Sequence, residues 1–74
     1  MIKNLYNLLK NIPHRTYVIL NDRYIETENL KFKISSKNIT IYTPNEFYSL
    51  PFNDSAINYV KDLLKRYENW FIET

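Results

Sequence analysis

Ile2, Leu5, Leu8, Leu9 and Ile12 recur at helical spacing, with Lys3, Asn7 and Lys10 between them, and the pattern predicts an amphipathic helix over residues 2–11. Pro13 ends it, because the residue before a proline is pushed out of the helical region. From Thr16 the period shortens. Thr16–Leu20 is a β-branched and aromatic run, Asn21 and Asp22 offer a hairpin turn, and a second strand is expected from Tyr24 to Thr27. Leu30, Phe32 and Ile34 alternate with Lys31 and Lys33, which places the first three on a core face and both lysines in water. Ser35–Asn38 turns the chain, Ile39–Thr43 forms the next strand with Ile39 and Ile41 inward, and Pro44-Asn45 closes it. Phe47–Leu50 fits a last short strand, which Pro51 confines to an edge or a loop.

A longer helix follows. Asn53 is a good N-cap, Asp54 places a carboxylate where the helix dipole favours it, and Phe52 can staple against Ile57. Ile57, Val60, Leu64, Tyr67 and Phe71 form one stripe, flanked by Ala56, Leu63 and Trp70. Leu64 and Tyr67 are expected toward the sheet, with Trp70 and Phe71 near an interface. The fold class is therefore α+β, in one domain over residues 1–74: an N-terminal helix, a three- to four-stranded antiparallel meander, and a C-terminal helix packed on one sheet face.

Composition changes this picture in three ways. Seventy-four residues bury only about 60% of the surface the unfolded chain exposes, and with no cysteine and only His14 there is no disulfide or zinc to compensate. Seven Tyr, four Phe and Trp70 are more rings than so small an interior holds, so some lie near the surface, which predicts an interface and a homodimer. Glycine is absent, and turns that need φ > 0 fall to asparagine: Asn21, Asn29, Asn38, Asn45 and Asn53 stand where turns are expected. A coding sequence rich in A and T would produce the same bias. The absence of cysteine and of a long apolar N-terminal run fits the cytoplasm and no membrane.

Catalytic chemistry is poorly supplied. There is no thiol, His14 lies in a connector between Pro13 and Arg15, and no glycine loop exists to cradle a phosphate. Asp22, Glu26 and Glu28 share one hairpin, where carboxylates are more often solvated than metal-bound. No enzymatic activity, metal or cofactor is expected. Arg23, Lys31, Lys33 and Lys37 with Tyr24 and Tyr42 would make a basic, aromatic sheet face able to stack single-stranded bases. The net charge of +2 and the neighbouring Glu26 and Glu28 dilute that field, so nucleic acid is not expected in the favoured reading.

Phe47-Tyr48-Ser49-Leu50-Pro51-Phe52 resembles the hexapeptide by which bacterial replication proteins dock on the DNA sliding clamp. Leu50 and Phe52 match its two apolar anchors, Tyr48 is an apolar substitute, and Phe47 stands where that motif has glutamine. The same segment has an ordinary structural role open to it, with Leu50 in the core and Phe52 as the helix staple. As a whole, in length, in richness of Asn, Ile, Lys and Tyr and in lacking enzymatic residues, the chain resembles the very short inhibitors that staphylococcal phages such as Twort direct against the host clamp. The resemblance implies binding to the bacterial β clamp, a block to its loading on DNA, and arrest of host replication.

Two routes to the clamp are open: Tyr48, Leu50 and Phe52 in its peptide pocket, or acidic groups against the basic lining that faces DNA. Asp22, Glu26 and Glu28, or Asp62, Glu68 and Glu73, would supply the acids. A small nucleic-acid-binding module and a self-associating assembly protein are the competing classes.

Overall fold

The computed structural model describes residues 2–68. Helix α1 spans Ile2–Leu9 and buries Leu5 and Leu9. It stops before residue 11, and a single tighter bond from the Ile12 amide to the Leu9 carbonyl (2.9 Å) turns the chain while keeping Ile12 buried. Five strands follow: β1 Arg15–Ile19, β2 Asp22–Glu26, β3 Lys31–Ile34, β4 Asn38–Tyr42 and β5 Phe47–Pro51. Helix α2, Asp54–Tyr67, closes the described chain. The strands pair in sequence order as one antiparallel meander, one strand more than the upper expectation because Phe47–Pro51 pairs fully with β4.

The alternation read from the sequence holds across the sheet. Ile25, Phe32, Ile41 and Tyr48 lie opposite one another across four strands, as do Ile34, Ile39 and Leu50 across three. This face meets the helices, and Ile25, Phe32, Ile39 and Ile41 are fully buried with Leu5, Leu9, Val60 and Leu64 in one apolar cluster. Ile57, Tyr67 and Phe52 pack on its rim, as the stripe and staple require. The α2 N-terminus is capped as expected: the Asn53 side chain accepts from the Ala56 amide at 3.1 Å. Trp70, Phe71 and Glu73 lie outside the described residues.

The first hairpin departs from expectation. The turn is Leu20-Asn21, not Asn21-Asp22, and both residues have positive φ, 51° and 74°. Two such residues between an Ile19–Asp22 pair make the I′ turn whose twist matches a hairpin. Asn21 suits the left-handed region. Leu20 does not, and for a side chain with a Cβ that conformation costs about 1–2 kcal/mol. No other described residue has positive φ, so Asn29, Asn38, Asn45 and Asn53 are not glycine substitutes; Asn38 opens β4 and Asn53 is the cap.

Candidate functional site

Among the described residues, helices cover one sheet face only. On the other, one row crosses all five strands: Arg15, Glu26, Lys31, Tyr42 and Phe47, with Tyr17, Tyr24, Lys33, Thr40 and Ser49 alongside. The aromatic members form a ladder. Tyr17 stacks on Tyr24 with centroids 5.1 Å apart and planes 4° from parallel. The Lys31 ammonium sits 5.4 Å from the Tyr24 ring and 5.5 Å from that of Tyr42. Tyr42 then stacks on Phe47 at 5.7 Å. The ladder thus runs ring, ring, cation, ring, ring from one sheet edge to the other, and its last ring, Phe47, is 71% exposed.

Charges on this face are partly compensated. The Glu26 carboxylate accepts from the Tyr17 hydroxyl and from Arg15 Nη2 (2.7 Å), and these bonds, in that order, hold its carboxyl below the ordinary value of 4.5. The same contacts raise the Tyr17 hydroxyl and the Arg15 guanidinium. Asp22 approaches Lys33 more loosely, at 3.7 Å. Lys31 has no carboxylate within ion-pair distance among the described residues. Arg23, expected beside the rings, points to the helix side instead, where Nη1 donates to the Tyr6 hydroxyl at 2.8 Å. Lys37 lies in the β3–β4 turn, away from the ladder.

The β1 edge is the second open feature. A two-residue I′ turn closes on a pair that exchanges both hydrogen bonds, so Ile19, Tyr17 and Arg15 bond inward to β2, and the amides and carbonyls of Val18 and Thr16 face out with no neighbouring strand among the described residues. At the hairpin tip, Val18, Ile19 and Leu20 are 60%, 50% and 90% exposed. Proline, inward charge or a bulge would blunt such an edge, and β1 pairs without interruption and carries none of them. The opposite edge, β5, ends in Pro51.

The expected clamp-docking segment lies in β5 and the turn after it. Tyr48, Leu50 and Phe52 all pack against the protein's own core, so this conformation offers none of them as a free anchor. Tyr48 also donates to the Tyr59 hydroxyl at 2.6 Å, and burial first, then this bond, push its own hydroxyl upward. The acids are scattered. Asp22 follows the hairpin tip, Glu26 is held on the open face, and Glu28 is exposed in the β2–β3 turn. Asp62 is exposed on α2, while Glu68 accepts from the Thr27 hydroxyl (2.6 Å) and the Asn29 amide (2.8 Å), tying α2 to that turn.

Tyr17, Phe47 and the apolar tip were not singled out in the sequence as site residues. A turn centred on residues 20 and 21 pairs Tyr17 with Tyr24, whereas one centred on 21 and 22 would set it opposite Glu26. Among the described residues there is no group of three or more His, Cys, Asp or Glu placed to hold a metal, and no helix long and apolar enough to cross a membrane. Scans against protein-family models, curated proteins and solved structures returned no match.

Proposed function

We propose that the chain is a protein-binding inhibitor of the bacterial DNA sliding clamp (β subunit), acting in the host cytoplasm by blocking clamp loading and so shutting off replication. The observation that supports a protein partner is the unprotected β1 edge with its apolar tip. Leu20 is held in a left-handed conformation that asparagine or glycine would adopt at lower cost, and it is 90% exposed. A side chain kept there at an energetic cost, beside exposed Val18 and Ile19, fits an anchor for a partner's apolar surface. The free Val18 and Thr16 backbone groups supply strand-to-strand bonds to the same partner or to a second copy, which is where the proposed homodimer would form.

The clamp as partner rests on the overall resemblance of the chain to the phage inhibitors. Of the two routes, the acidic one fits this fold better. Tyr48, Leu50 and Phe52 are engaged in the core, while exposed Glu28 in the β2–β3 turn, and Asp22 beside the tip once it gives up its loose contact with Lys33, are carboxylates that a basic surface can reach. No catalytic step and no cofactor enters the proposal.

Purified β clamp mixed with the protein on a sizing column, followed by loading of the clamp on nicked circular DNA, tests the reading. Co-elution and loss of loading are expected. Leu20→Asp should retain the fold, since aspartate tolerates positive φ, and should weaken co-elution. Failure of the wild-type protein to bind the clamp would reject the partner; binding unaffected by Leu20→Asp would reject the tip as the anchor.

A further inference from the structure

The open sheet face, with its ladder, is separate from the β1 tip and has chemistry of its own. Its rings are cross-strand neighbours on a surface that no described element covers, and its central cation, Lys31, is held by two π faces with no carboxylate within ion-pair distance among the described residues. Inside the ladder the ring faces are engaged with one another. At the two ends they are not: Tyr17 stands on the edge strand β1 with its stacking partner on one side only, and Phe47 stands likewise on β5. The span between the ends is about 19 Å, four inter-strand spacings. Lys33 lies one register step from Lys31 on the same face, and its pairing with Asp22 is loose.

We infer that this face binds a single-stranded polynucleotide, with bases stacked on the open faces of Phe47 and Tyr17 and phosphates over Lys31 and Lys33. Stacking needs only unpaired bases, so the site is indifferent to sequence. A duplex offers its bases only as groove edges and cannot use the ring faces. Charge complementarity selects a polyanion over a neutral partner, because Arg15 pairs with Glu26 and Lys33 loosely with Asp22, which leaves Lys31, at the centre of the ladder, as the cation in excess among the described residues of this face. Glu26 and Glu28 at one end of the face limit the number of phosphates bound to about two, so the salt dependence is shallow.

Anisotropy of fluorescein-labelled oligothymidylate and oligouridylate, each about eight nucleotides long, titrated with the full chain between about 50 and 200 mM salt, tests the inference. Both oligonucleotides are expected to bind, with log K falling against log salt at a slope near −1.4, and a hairpin duplex is expected to bind more weakly. Phe47→Ser, at an exposed position, should weaken binding about tenfold. Lys31→Gln should flatten the slope by about 0.7. Leu20→Asp should leave oligonucleotide binding as it is, which separates this site from the proposed protein anchor. No anisotropy change at the lowest salt, equal affinity for the duplex, or wild-type binding by both Phe47→Ser and Lys31→Gln would overturn the inference. Loss of clamp co-elution in those variants without oligonucleotide binding would assign the face to a protein partner and overturn it equally.

Discussion

The two faces of the sheet are made by the same five strands and solve different problems. The inner face is a plain apolar core, Ile25, Phe32, Ile34, Ile39 and Ile41, sealed by α1 and α2. The outer face has no second layer among the described residues, and rings that stack across strands and a lysine between them shield part of it while leaving it reachable. Stability should therefore reside almost entirely on the inner face, and recognition on the outer face and the β1 edge.

Removing side chains from each face tests that division. Phe32→Ala opens a cavity at a fully buried position and should cost about 3–5 kcal/mol, a large part of the whole stability of so small a domain, read as a collapse of the denaturation midpoint. Tyr24→Ala removes both a stacking partner and a cation contact, yet should cost only about 1 kcal/mol by the same measurement. Equal costs would mean that the ladder is a second core and not a display surface.

Smaller effects sharpen the picture. The Glu26 carboxyl titrates below its ordinary value in the folded chain, so its contribution to stability is present above about pH 4.5 and is lost as the pH falls through the folded value. Denaturation midpoints of the wild type and Glu26→Gln should accordingly differ at neutral pH and converge in acid. Leu20→Asn relieves the left-handed strain and should stabilise the fold by about 0.5–1 kcal/mol, read as a raised midpoint, while weakening partner binding. A destabilised Leu20→Asn would show that Leu20 serves the fold itself.

Much of the fold was legible because strand period is insensitive to register. Leu30, Phe32, Ile34, Ile39 and Ile41 point inward whatever they pair with, and the Asn53 cap and Phe52 staple are local devices. Neighbours across strands were not legible, since they depend on where each turn is centred. Moving the first turn from residues 21 and 22 to residues 20 and 21 preserves every face but brings Tyr17 opposite Tyr24, and that contact begins the ladder. A leucine with positive φ is likewise invisible to rules that assign such positions to asparagine. The hexapeptide shows the reverse limit. Its residues match a docking motif in series, but the alternation that makes β5 a strand turns Tyr48 and Leu50 toward the core.

Amide hydrogen exchange of the chain, alone and with purified β clamp, tests the central claim most directly. In the free protein, diluted until it is monomeric, the Thr16 and Val18 amides, which face out from the β1 edge, should exchange rapidly, and clamp binding should slow them together with residues 19–21. Protection confined to residues 47–52, or no change anywhere on adding the clamp, would contradict the account.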